Sequence, residues 1–296
     1  MRIKIIGVFL AIVLIFGAFV LVFSRRNEDP ATKGINWLIS HKDEMAPIDA
    51  FFYFNTLYKV TDNDSLAARF RQIALEKQDQ ISNVDIASEL SKSYKTENDY
   101  FPLIQELLIR KCRGEEVNGD IKNLRSVLAK KEKSNDIQLN YMLVELGIEN
   151  KATYDKLVQD DLALFKSGNS TTYADITHIV INESGYFSSY IDPELHSDET
   201  DVLNGALSFL AASREDLKKN LDMTSEVLLS LKLLRQKPLD ASENLYVELA
   251  KLQNSDGSWE QTGATKESKI HNTVVATLAL LNFSQDLRSG EKYCIK

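Results

Sequence analysis

The chain has 296 residues, 44% of them hydrophobic, with 43 acidic against 35 basic side chains and a formal net charge of −8, enough apolar material for a core of ordinary size. Four of the basic residues, Arg2, Lys4, Arg25 and Arg26, lie in a stretch without a carboxylate, so residues 27–296 keep 31 basic against 43 acidic side chains, a net of −12. That balance excludes nucleic acid as a partner and a second electrostatic hold on anionic lipid.

Ile5 to Phe23 is an apolar run without a charge, close to the length that crosses a bilayer core, with basic residues on both flanks. A cleavable signal peptide is the competing reading, but it would have a shorter apolar region and a small-x-small site, and "FVLVFSRR" has none. Residues 1–26 are therefore expected to be an uncleaved membrane anchor. Arg2, Lys4 and the amino terminus tip its orientation towards an N-terminus inside, which puts the soluble part outside the cytoplasm.

With only 12 glycines and 5 prolines, the rest of the chain has few breakers. Apolar residues recur three and four apart, as in "SEVLLSLKLLRQ" and "NTVVATLALLNF", which predicts an all-α protein. After a polar linker over 24–33, helix pairs follow in order. "GINWLISHKDEM" precedes "PIDAFFYFNTLYKV", and "YFPLIQELLIRKC" precedes "IKNLRSVLAKK". "DIQLNYMLVELG" is joined to "TYDKLVQDDLALFKSG", and "TYADITHIVINESGYF" comes next. "VLNGALSFLAAS" with "DMTSEVLLSLKLL", then "ENLYVELAKLQ" with "KIHNTVVATLALLNF", complete the series. A helical hairpin cannot bury its apolar face alone, so such pairs must stack or close into a ring. At about 45 residues per pair, residues 27–296 hold about six, the number that closes an α/α barrel.

The last unit, "YVELAKLQNSDGSWEQ" followed by "IHNTVVATLALLNF", resembles the repeat of the α/α-toroid superfamily. That superfamily contains terpenoid cyclases, protein prenyltransferase β subunits and the thioester domains of complement-like proteins. The matching residues are Gln253, Asp256, Gly257, Trp259 and His271, of which the first four are expected to build a structural turn. "GINWLISHKD" with "DAFFYFNTLYKV" looks like a degenerate first copy. "TYADITHIVINESGYF" is similar to a segment of a bacterial toroid domain of unassigned activity. The resemblance implies a toroid but no reaction, because the chemical sets of the family are incomplete. Prenyltransferases hold zinc with an aspartate, a cysteine two residues later and a histidine. Here Asp222 and His271 match, but Thr224 stands where the cysteine would be. No Asp-rich cyclase motif occurs, and neither Cys112 nor Cys294 has a thioester setting. No metal or other cofactor is therefore expected.

Four residues remain as candidates for acid–base chemistry: His178, His271, Asp222 and Glu226. On a helix through 173–183, Ile176, Ile179 and Val180 share one face and His178 falls towards the other, where it faces a central cavity or bonds to a neighbour. Thr172 and Asp175 read as the capped start of that helix. His271 is expected in the first turn of the final helix, where the dipole lowers its pKa; its alternatives are to cap the helix or to bond to the Asp256–Trp259 turn. Asp222 and Glu226 share a helix face, and Asp222 also reads as an N-cap. Cys112 and Cys294 are either one disulfide in an oxidising compartment or two thiols. The expectation is a membrane-anchored toroid that binds a small-molecule ligand or a protein partner; the alternative is an enzyme acting on a lipid-like or peptide substrate in the cavity.

Overall fold

Caps and breakers set the helix boundaries in the computed structural model, which describes residues 28–81, 86–166, 173–212, 217–235, 240–288 and 290–295. The anchor expected over residues 5–23 and the Thr172 cap lie outside the described residues. Among those described, no helix is long and apolar enough to cross a membrane. The described residues form α1 (Pro30–Ser40), α2 (Pro47–Val60), α3 (Asp64–Gln80), α4 (Ile86–Ser91), α5 (Phe101–Cys112), α6 (Asn118–Leu128) and α7 (Ile137–Leu146). They continue with α8 (Lys151–Lys166), α9 (Tyr173–Glu183), α10 (Ser197–Ala212), α11 (Leu221–Leu233), α12 (Asp240–Lys251) and α13 (Lys266–Leu280), with no β-strand beyond two isolated bridges.

Proline opens α1 and α2, where its missing N–H costs no helical hydrogen bond. Asn63, Asp136 and Thr265 accept hydrogen bonds from the free backbone N–H of Leu66, Leu139 and Ser268, at 3.0, 2.7 and 3.2 Å. Gly147 ends α7 with φ +75°, a left-handed conformation glycine adopts without strain. Helices α3 and α4 have no counterpart among the helix pairs expected from the sequence. The buried stripe of α3 is thin, Ala67, Phe70, Ile73 and Ala74, on an otherwise polar helix.

The helices alternate between two environments. Helices α11 and α13 bury polar residues as well as apolar ones (Thr224, Ser225, Glu226 and Ser230; Asn272, Thr273 and Thr277), as elements packed on more than one side do. Helices α1, α3, α6 and α10 each bury a stripe and expose the opposite face. Helices α5, α7, α9, α11 and α13 pack in succession, α2 meets α5, and α13 packs on α1. The chain is thus all-helical and built from alternating helix pairs.

Two ties close the ends of this assembly. The first is the segment 253–259, which links the last pair to the first helix. Trp259 is fully buried and its Nε1 donates to the Leu249 carbonyl at 2.8 Å, while Thr273 Oγ1 accepts from its backbone N–H at 3.0 Å. Gln253 Nε2 reaches the Pro30 carbonyl at 2.8 Å and the Gly257 carbonyl at 2.9 Å. Gly257 has φ +97°, and a Cβ there would stand 2.6 Å from the Lys33 carbonyl oxygen, so only glycine fits. Asp256 holds the turn by accepting from Ser258 N and Oγ, at 2.9 and 2.6 Å.

The second tie is the tail after α13. Ser284 N donates to the Val60 carbonyl and Arg288 N to the Lys59 carbonyl, at 2.8 and 2.9 Å. Ile295 and Gln78 exchange two hydrogen bonds, and Lys292 reaches Tyr141 and Glu145. Cys294 forms a disulfide with Cys112 at the end of α5, with Cα atoms 5.7 Å apart, which resolves the question left open by the sequence.

The crosslink joins residues 182 apart, so chain entropy assigns it about 5 kcal/mol, an upper figure for measured disulfides. Replacing both cysteines by serine is expected to lower the melting temperature by roughly 5–15 °C; an unchanged melt would show that the tail is held without it. Trp259→Ala removes a fully buried indole and is expected to cost about 3–5 kcal/mol in a urea melt, while a cost below about 1 kcal/mol would show that the first and last helices are held elsewhere.

Candidate functional site

Helices α11 and α13 lie side by side. Four-residue spacing sets Asp222 and Glu226 one above the other on α11, and His271 of α13 meets both. His271 Nε2 lies 3.0 Å from Asp222 Oδ1 and 3.6 Å from Glu226 Oε1. One donor atom from each of the three lies within 4.8 Å of the others. The Glu226 side chain is only 6% exposed, whereas Asp222 and His271 are 44% and 39% exposed, so the group spans the step from interior to solvent.

The buried carboxylate has one further partner, Thr177 of α9, whose Oγ1 donates to Glu226 Oε2 at 2.9 Å. Asp222 Oδ1 is shut off from solvent and has no hydrogen-bond partner among the described residues; its approach to His271 is a charge contact without hydrogen-bond alignment. Burial alone would pull the His271 pKa down. Contact with the two carboxylates, and their negative charge, more than reverses that and pushes it up to about 10.

Three sequence expectations are corrected here. Helix α13 begins at Lys266 behind the Thr265 cap, so His271 sits in the second turn, and its pKa moves up instead of down because two carboxylates outweigh a helix end one turn away. The Asp256–Trp259 turn is bonded by Lys269 and Thr273 in place of His271. Asn220 occupies the cap position of α11, and Asp222 turns to His271.

The group stands between two hollows. An inner cavity of about 240 Å³ is lined by side chains from six helices, among them Tyr53 (α2), Gln105 (α5), Gln138 (α7), His178 (α9), Glu226 (α11) and His271 (α13). Tyr53 and His271 also face an outer vestibule of about 450 Å³ bounded by Asp222 and residues 261–264. His178 therefore shares the cavity with Glu226 and His271, as its helix face suggested, while Ile176, Ile179 and Val180 are buried. No hydrogen bond or ion pair joins His178 to the other three.

The far end of the cavity is walled by Tyr186 and Phe187. With Gly185 they form three successive left-handed residues, at φ +63°, +53° and +62°. Each non-glycine residue there costs roughly 1–2 kcal/mol. The turn is held by Lys59 Nζ, which donates to the Tyr186 carbonyl at 2.9 Å, and by Phe187 N, which donates to Ser184 Oγ at 3.0 Å. Burial lowers the Lys59 pKa to about 7.

No family model, no curated protein and no solved structure matches the chain. The likeness to the toroid superfamily accordingly rests on Gln253, Asp256, Gly257, Trp259 and His271.

The sequence reading missed Thr177 and Tyr53. The signal for Thr177 was its place beside His178 on a helix already assigned; Tyr53, in "DAFFYF", was hidden in a row of aromatics that reads as core.

With its pKa raised above the unfolded value of 6.5, His271 contributes stability that is complete below about pH 6.5 and lost as pH rises through about 10. NMR of chelator-treated protein is expected to show a His271 imidazole that does not titrate between about pH 5 and 8. A midpoint near 6.5 would show that the carboxylates do not hold the proton.

Proposed function

We propose that the protein is a single-pass membrane protein, anchored through residues 5–23, whose domain over residues 27–296 is an α/α toroid that binds a small ligand in its central cavity outside the cytoplasm. The observation that carries this reading is the inner cavity: six helices from successive pairs each supply a side chain to one hollow lined by apolar and polar groups together. Binding sites have this make-up, mostly apolar walls with a few placed polar groups. The packing of α13 on α1 supports a closed ring. The Cys112–Cys294 disulfide supports an oxidising compartment, in keeping with the proposed orientation.

A second reading is an enzyme that uses the imidazole–carboxylate group at the mouth for proton transfer. It is favoured by the convergence of Asp222, Glu226 and His271. His178 then serves as a further polar contact in the cavity. Binding remains the better supported function, because the cavity draws a side chain from each of six helices whereas the convergent group draws on two.

Leu229 lines the inner cavity, so Leu229→Trp should fill it. Native mass spectrometry of the full-length protein, extracted from producing cells in detergent, is expected to show a small-molecule adduct that falls at least about tenfold in a folded Leu229→Trp variant. Equal adducts, or none in either protein, would overturn the binding reading. A phosphatase fused to the C-terminus should be active only if the domain lies outside the cytoplasm.

A further inference from the structure

We infer that Asp222, Glu226 and His271 form a site for one divalent transition-metal ion, Zn²⁺ or a first-row neighbour, at the mouth of the cavity. The inference rests on the reading of this cavity as a binding site, but metal uptake is measured with no other ligand present, so the two can fail separately.

Geometry is the first support. Donors bound to one tetrahedral ion at about 2.0 Å stand about 3.3 Å apart. Two of the three edges, 3.0 and 3.6 Å from His271 Nε2 to the carboxylate oxygens, bracket that value, and all three donor atoms lie within 4.8 Å of one another. The sequence reading counted only two ligands, because the third was sought two residues after Asp222. Glu226 supplies it from one turn further along α11, so the set is this chain's own and contains no thiolate.

Charge and partner chemistry are the second support. The two carboxylates carry −2, the charge that one divalent ion neutralises. Thr177 donates to Glu226 Oε2, which leaves Oε1 directed at His271, an arrangement that outer hydrogen bonds commonly impose on metal ligands. Asp222 Oδ1 is shut off from solvent and meets His271 Nε2 at 3.0 Å without hydrogen-bond alignment, so a metal between the two would satisfy the oxygen better than the imidazole alone does. One nitrogen with two oxygens suits zinc, manganese or iron better than calcium or magnesium, which take oxygen alone. Three protein ligands leave a position open towards the cavity and vestibule, as a site that engages a ligand requires.

The test is equilibrium dialysis of full-length, chelator-stripped protein in detergent against Zn²⁺ or Co²⁺, with metal counted by elemental analysis. One equivalent is expected, and Asp222→Asn, Glu226→Gln and His271→Gln should each weaken binding by about 100-fold or more, with Thr177→Val weakening it about tenfold. His196→Gln, at a histidine paired with Glu199 on another helix, should leave binding unchanged. Substoichiometric uptake, or uptake that all three ligand variants retain, would overturn the proposal. So would selective binding of an alkylammonium probe, such as tetramethylammonium, in place of the ion. If the variants fail to fold, the wild-type Co²⁺ spectrum decides: intense tetrahedral ligand-field bands support the site, and the weak bands of hydrated Co²⁺ overturn it.

Discussion

The burial of Trp259 is the constraint on which the arrangement of helices depends. Its indole fills the space where α12 turns into α13 and where α1 passes: a Cβ on Gly34 of α1 would stand 2.9 Å from the ring. No side chain larger than hydrogen fits at Gly34 or at Gly257, so the first helix and the last turn approach at backbone distance. Lys269 of α13 adds a cation over the Trp37 ring of α1 at 5.5 Å. The beginning and end of the described chain are thereby fixed to each other.

That junction fixes α13, and α13 carries His271. Burying a lone carboxylate is costly, and Glu226 is almost wholly enclosed. The cost is offset by one hydroxyl from α9 and one imidazole from α13, so three helices must hold their places for the charge to be tolerated. The group is a rigid feature of the cavity mouth, unlike the exposed ion pairs such as Lys151–Asp155, which stabilise little.

Much of this was legible in the residues. The paired rhythm gave the helices, and the face pattern at Ile176, Ile179 and Val180 set His178 on the other side of its helix, leaving open the cavity position where it lies. Helix α3 escaped because a solvated helix with a thin stripe resembles a polar loop once "DNDS" opens it. The meeting of Asp222, Glu226 and His271 was only half legible. Spacing of four unites the carboxylates on any helix, and the resemblance matched Asp222 and His271 to two positions of one site, but neither brought Glu226 to His271. Local rules also misread His271 and Asp222. A helix dipole and an N-cap preference are effects on the order of 1 kcal/mol, and two charges in direct contact outweigh them.

The two ends of α2 and α11 differ in charge, and the helix dipoles explain part of this. Asp49 and Asp222 lie in the first turns of α2 and α11, where the positive helix ends favour carboxylates. In the last turns of α2 and α11, the buried Lys59 and the partly buried Lys232 donate to carbonyls of the Tyr186 turn and of the segment leaving α13. Dipole compensation therefore accounts for acids at the mouth and lysines in the last turns without any ligand. It does not account for Glu226, which lies a turn deeper, is enclosed and faces a histidine on another helix. That carboxylate exceeds what the helix ends require, and it is held by the Thr177 hydroxyl and the His271 imidazole instead.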